Sequence, residues 1–432
     1  MTDINLSLAS DVNIERGGSM REGISNLDFI PEPTDSRILS AIDPQAAEHD
    51  QKFRAKVTGW DQVSRRNQSS TTTSRRKPRN FPSAILLLVA VIFFAYVGLQ
   101  PLDNLLSEYA GPNSDWAKEV SNINQLNDMG YSGEGIRICV VDTGVELNHP
   151  DLSHLEIYFK DFLLNNPSPI DNDKQFHGTM VVGILSAKGK VVSGITTNAE
   201  LSIASALGSY SNSGNEDIVS NAIKWCVDER KADILSLSLG GNQNIESPLE
   251  GQTVQAVKYA LSKGVFVVAA AGNDGGANDD GRVAAPANVP LVISVGATNE
   301  GGELWEFSSR GDPLAGPNDA PRESPNEKPE VIAPGVNIVS TWNDDSYSQS
   351  SGTSDATVYV SGALALILES NPNLRPKWNG LDGSNCVLVV KQALMESSRP
   401  YKAQSLPHDD RYGYGSLDAL EWYQQLKNVE SC

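Results

Sequence analysis

Three side chains in this 432-residue chain have the types and the order that nucleophilic acyl chemistry needs. Asp142 ends the apolar run RICVVD, His177 opens HGT, and Ser354 stands inside GTSDAT. A hydroxyl becomes a useful nucleophile when a neighbouring base takes its proton, and imidazole can take and return a proton near neutrality. A carboxylate that holds the ring in one tautomer and stabilises its cation completes the set. A fourth group, the Asn273 amide in AAAGNDG, is of the kind that donates to a developing oxyanion. Taken singly, Ser354 reads as a helix N-cap and Asn273 as a turn residue. Glu146 is the runner-up acid; among the other histidines His149, in NHP, is not a candidate and His408 sits in a polar C-terminal loop.

Such groups work only if a scaffold converges them. The runs IRICVVDT, AELSIASAL, ADILSLSL, VFVVAAAG and PLVISVGAT are β-rich and apolar throughout, as strands buried on both faces are. Helical periods lie between several of them, in IVSNAIKWCVDER and GQTVQAVKYALSKG. Strand and helix in alternation predict a three-layer α/β fold, a mainly parallel sheet covered by helices on both faces. Sites in such sheets lie at the carboxyl ends of strands, where Asp142 and Asn273 fall.

Upstream the pattern changes. Phe81–Leu99, FPSAILLLVAVIFFAYVGL, has no charged residue and the length of one bilayer crossing, so it is expected to form a single transmembrane helix. Arg65, Arg66, Arg75, Arg76, Lys77 and Arg79 precede it, and Asp103, Glu108 and Asp115 follow it. Basic residues stay on the cytoplasmic side, which puts the N-terminus inside the cell and the downstream domain outside. Residues 1–80, with the tract NQSSTTTSRRKPRN, lack a sustained apolar period and read as a mostly disordered cytoplasmic leader. Residues 100–115 form a short linker, too short for a folded propeptide, and residues 426–432 a C-terminal tail.

The formal net charge of −20 lies downstream of the apolar run, because residues 1–80 carry 12 Lys+Arg against 11 Asp+Glu and residues 81–100 carry none. An acidic surface of this kind excludes nucleic acid as a partner. Four cysteines are too few for a disulfide scaffold and have no metal-ligand spacing. Cys139, inside an apolar strand, reads as a buried thiol, and a bridge between Cys386 and Cys432 stays open.

The strings DTGVELNHPDL from Asp142, HGTMVVG from His177, SLSLGG from Ser236, AAAGNDG from Ala269, FSSRG from Phe307, KPEVIAPGV from Lys328 and GTSDATVYVSGALAL from Gly352 together resemble the subtilisin-like serine proteases over residues 116–425. The resemblance implies peptide-bond hydrolysis with Ser354 as nucleophile, His177 as base, Asp142 as its orienting acid and Asn273 as oxyanion donor. It implies that Ser238, Leu239 and Gly240 flank one side of an extended polypeptide substrate and that Asn212, Ser213 and Gly214 flank the other. Ala284 would floor the main specificity pocket, with Asp274 near its mouth. A small floor leaves room for a large apolar side chain and Asp274 would attract a basic one; both remain open.

Departures from the family pattern are as informative. Asp355 follows the nucleophile where Met is usual, Val358 replaces a Pro, and Met180 replaces a second His. A carboxylate at 355 is expected to raise the His177 pKa or slow turnover. The segment LSAKGKVVSGI lacks the Asn-rich loop of the strong calcium site, so no cofactor is required and only a weak calcium site, with Asp151 as one ligand, is left open. The competing reading, an impaired relative that binds or scaffolds, would need a broken catalytic group.

Overall fold

The computed structural model describes residues 61–62, 113–208, 216–241, 251–276, 279–311, 321–378, 383–402, 404–430 and 432. The expected transmembrane run 81–99, the leader apart from Asp61–Gln62, linker residues 100–112 and the substrate-flanking Asn212, Ser213 and Gly214 lie outside the described residues. Among the described residues no helix is long and apolar enough to cross a membrane.

The strands are β1 Asp61–Gln62, β2 Arg137–Asp142, β3 Ile157–Asp161, β4 Glu200–Ser205, β5 Ile234–Leu237, β6 Phe266–Ala270, β7 Ile293–Thr298, β8 Val331–Pro334, β9 Val336–Thr341 and β10 Tyr347–Ser351. The α-helices are α1 Asp115–Val120, α2 Ile123–Asp128, α3 His177–Ser186, α4 Glu216–Asp228, α5 Gln252–Ser262, α6 Thr353–Ser370, α7 Ser384–Ser397 and α8 Ala419–Leu426. Seven strands form one sheet in the order β3-β4-β2-β5-β6-β7-β8, each pair parallel. The five apolar runs become β2, β4, β5, β6 and β7, and the two helical periods become α4 and α5.

Side-chain alternation places the helices. Cys139 of β2 is bonded to Cys226 of α4, while the next register pair, Val140 opposite Ser236, points the other way. Ser236 Oγ meets Ser361 Oγ of α6 at 3.0 Å. Neighbouring residues on a strand face opposite sides, so α4 and α6 cover opposite faces. α6 runs across β5, β6, β7 and β8 and is buried from Thr353 to Leu368.

The Cys139 reading needs correction. The residue is buried as expected, but it is not a thiol: Cys139 and Cys226 form a disulfide with their Cα atoms 5.8 Å apart, across 87 residues of chain. Only the packing of α4 on the sheet brings the two within bonding range. Cys386 and Cys432 form a second disulfide, and Asn371 Nδ2 donates to Leu426 O and Val429 O, both at 2.9 Å, so the C-terminal residues are tied to the domain.

A smaller sheet, β1-β10-β9, carries an observation about the leader. Asp61 and Gln62 pair antiparallel with Gln349 and Ser348 of β10. That pairing and a bilayer between residues 1–80 and the domain exclude one another in a single molecule.

Beside β7 and β8 lies a buried ionic cluster. Glu330 Oε1 forms ion pairs with Lys328 Nζ at 2.8 Å and Lys391 Nζ at 2.6 Å, and Oε2 accepts from Ser294 N at 2.7 Å. Both ammonium groups also donate to Val292 O. Glu330→Ala leaves two buried amines without their carboxylate and is expected to lower stability by about 3–5 kcal/mol, measured by urea unfolding. A loss no greater than the roughly 1 kcal/mol of an exposed pair would show that the cluster does not hold α7 to the sheet.

Candidate active site

β2 has β4 on one side and β5 on the other, so it is where the strand order reverses. Crevices outside the carboxyl ends of strands at such a point are where open parallel sheets bind ligands. Asp142 is the last residue of β2, Ser238 follows β5, and Asn273 lies just past β6.

His177 reaches Asp142 because two glycines let the backbones touch. A Cβ on Gly178 would sit 2.1 Å from Gly144 O, and one on Gly144 would sit 1.9 Å from Ile170 O. Around this approach Gly178 N donates to Thr143 Oγ1 at 2.8 Å and Glu146 N donates to Thr179 Oγ1 at 2.9 Å. Buried Asp171 accepts from both the N–H and the Oγ1 of Thr179. The DTG and HGT strings are therefore two halves of one joint. Phe176, directly before His177, holds a left-handed backbone at φ 57° that costs a non-glycine residue energy. Its ring lies against Trp342 at 5.6 Å, and Trp342 Nε1 donates to Gln175 O at 2.8 Å.

The outcome is a buried pair. His177 Nδ1 lies 2.6 Å from Asp142 Oδ1, which also accepts from Thr143 N at 2.7 Å. Asp142 Oδ2 is buried with no hydrogen-bond partner among the described residues. Burial alone would pull the His177 pKa down, but Asp142 by charge and hydrogen bond, then Asp355 and Asp173 by charge, push it up to about 9.

Ser354 opens α6 and is 4% exposed. Its Oγ donates to Ser238 O at 3.5 Å, and Ser238 Oγ donates to Ser354 O at 3.3 Å, so the nucleophile candidate touches the segment expected to flank a substrate. Asn273 Oδ1 accepts from Thr353 N at 3.0 Å and from Thr353 Oγ1 at 2.8 Å. With Oδ1 bound in this way, the amide nitrogen is the end presented away from Thr353. Thr353 is a positioning residue that sequence reasoning missed, although its place between Gly352 and Ser354 was a usable signal.

Two of the residues expected at the specificity pocket, Gly240 and Ala284, lie against each other. A Cβ on Gly240 would lie 2.6 Å from Ala284 Cβ, and one on Gly272 would lie 3.3 Å from it. Leu239 has its side chain in the core and can offer a substrate only its main chain. Asp274 accepts a hydrogen bond from Ser309 Oγ, and its pKa is pushed up to about 6 by burial, with Asp280 and Asp279 adding to the rise.

The remaining candidates are structural. His149 Nδ1 accepts from Asp151 N at 3.1 Å, which makes Nε2 the protonated donor to Ser346 O at 2.9 Å. Asp151 accepts from Tyr347 OH at 2.7 Å, and Met180 is buried where α3 packs. His408 contacts Pro329 O, away from the pair. Among the described residues no group of three or more His, Cys, Asp or Glu is arranged to hold a metal ion.

Comparison with known proteins places the chain in a family. The Subtilase family model matches residues 133–415. The chain is 36% identical to the major intracellular serine protease of Bacillus subtilis (strain 168) over 243 residues, 55% of this chain and 70% of that protein. It is 32% identical to the serine protease AprX of the same organism over 339 residues, 71% of this chain and 70% of that protein. To Subtilisin E, also of that organism, it is 33% identical over 250 residues, 57% of this chain and 59% of the relative. The chain belongs to the Subtilase family and is a subtilisin-type serine endopeptidase.

Proposed function

We propose that this endopeptidase is anchored to the cell membrane by residues 81–99, with its catalytic domain outside the cell, and that it hydrolyses polypeptides with Asp142, His177, Ser354 and Asn273. The observation that carries the catalytic assignment is the 2.6 Å contact between buried His177 Nδ1 and Asp142 Oδ1. It leaves Nε2 as the ring nitrogen that takes the Ser354 proton. Ser354 Oγ then attacks the scissile carbonyl, and the oxyanion is met by the Asn273 amide and the Ser354 N–H. His177 returns the proton to the leaving amine, and water repeats the sequence on the acyl-enzyme. An extended substrate pairs with the main chain of Ser238–Gly240 on one side and Asn212–Gly214 on the other.

Support for the anchor is the uncharged run with basic residues before it and acidic residues after it. Support for an extracellular domain is the pair of disulfides, which persist in oxidising surroundings. In the anchored chain the pairing of Asp61–Gln62 with β10 does not form. The mouth of the specificity pocket carries Asp274 with Asp279 and Asp280 near it, which favours a basic substrate residue over an apolar one.

Fluorophosphonate is expected to label Ser354, casein to be cleaved, and Ser354→Ala to lose several powers of ten in rate without unfolding. A folded wild-type protein that neither labels nor cleaves would leave a binding role instead. Because the base must be neutral, kcat/KM is expected to rise with pH and reach half its maximum near pH 9, the value to which His177 is raised. An acid limb centred near pH 6.5, the unperturbed histidine value, would contradict that environment. For topology, an N-terminal epitope on intact cells is expected to survive added protease while an epitope on the domain is lost; loss of both would place the leader outside, where β1 can pair with β10.

A further inference from the structure

Asn273 stands in the loop that follows β6, and one buried serine grips its neighbours on both sides. Ser309, in the segment after β7, has no exposed surface. Its N–H donates to Gly272 O at 3.0 Å. Its Oγ accepts from Asp274 N at 3.3 Å and donates to Asp274 Oδ1. A hydroxyl has one proton to give and two lone pairs to offer, so a single side chain can make both contacts. Packing tightens the grip. Gly272 has φ 116°, and a Cβ there would lie 2.5 Å from Ser309 Oγ and 3.3 Å from Ser309 Cβ. Further along the same loop Gly275 N donates to Phe307 O at 2.9 Å.

The gripping segment is itself fixed to the sheet. Ser308 Oγ accepts from Ala297 N of β7 at 3.1 Å, and Ser308 N donates to Trp305 O at 3.0 Å. Thr353 of α6 holds the oxygen end of the Asn273 amide, and its Oγ1 also accepts from Gly272 N at 3.2 Å. An amide held at its oxygen still moves when its own backbone moves, so the place of Nδ2 depends on what restrains residues 272 and 274. We propose that Ser309 is a positioning residue of the oxyanion hole, which pins Gly272 and Asp274 and so fixes the backbone from which Asn273 reaches the substrate. When Ser354 Oγ bonds to the carbonyl carbon, the π electron pair moves onto the oxygen, and only then does a donor at Asn273 act at full strength. A donor out of place therefore lowers kcat rather than raising KM.

The inference rests on the reading of Asn273 as oxyanion donor, and the experiment separates the two. For the full chain in detergent, kcat and KM are measured on a peptide p-nitroanilide for the wild type, Ser309→Ala, Asn273→Ala and the double variant. Binding of the peptide aldehyde of the same sequence, whose adduct with Ser354 places an oxygen where the oxyanion forms, is measured beside them. A misplacement of about 1 Å can cost about a hundredfold, so the smaller shift from losing one hydroxyl is expected to lower kcat about tenfold. KM is expected to change much less, aldehyde binding to weaken by a factor similar to that of kcat, and the effect of Ser309→Ala to vanish once Asn273 is replaced. If Ser309→Ala does not fold, Ser309→Cys, close in size and only a weak donor and acceptor, carries the same cycle. Equal falls with and without the Asn273 amide, or a wild-type kcat in the folded Ser309 variant, overturn the proposal and leave Asn273 as the donor. A folded Asn273→Ala with wild-type kcat overturns the oxyanion reading and this inference with it.

Discussion

The contact between two buried groups, the Asp142 carboxylate and the His177 ring, is what the surrounding structure is arranged to permit. Taking a carboxylate out of water is expensive, and Asp142 Oδ2 has no hydrogen-bond partner among the described residues to offset it. Compensation falls on Thr143 N and on the imidazole, which becomes the more basic for it. The contact requires the end of β2 and the start of α3 to approach backbone to backbone: a Cβ on Gly178 would run into Gly144 O, and one on Gly144 would run into Ile170 O of the adjoining segment. Asp171 and Thr179 lock that approach, and Ser340 and Thr341 of β9 donate to Met180 O and Thr179 O to hold α3 in place.

The sheet supplies the frame on which this joint is mounted. Its strand order turns at β2, so the loops after β2, β5 and β6 open into one crevice, and α6 is laid across the face opposite α4 with Ser354 at its entrance. Thr353 holds Asn273 Oδ1 by its backbone N–H and its hydroxyl, as Thr143 holds Asp142 Oδ1 by its backbone N–H alone. Away from the crevice the framework is cross-linked, by the bond between β2 and α4 and by the cluster of Lys328, Glu330 and Lys391. The site carries an excess of carboxylates, and their common effect is to favour the protonated histidine.

Much of this was legible before any coordinates. Strands buried on both faces are nearly continuous apolar runs, and the five strongest runs are the five central strands of the sheet. β3 escaped because it lies at the sheet edge with alternating exposure, and β8 because VIAP is short and ends in proline. The candidate residues were visible because each sits in a short string whose neighbours are constrained too. Cys139 was misread because its partner is 87 residues away, on a helix whose packing no local pattern records. Thr353, Ser309 and the buried lysines were passed over because Thr, Ser and Lys are ordinary surface residues until their partners are known.

By itself the sequence determined the residue types, their order, the strand and helix periods and the unusual aspartate after the nucleophile, because these are properties of local chain and composition. Tertiary structure alone decided which oxygen of Asp142 meets which nitrogen of His177, where the second oxygen is left, which hydroxyls hold the Asn273 loop and which cysteines join. Those outcomes depend on distances of a few ångströms between segments far apart in the chain. Such distances are set by how helices and strands pack, and so the basicity of His177 is a property of the fold.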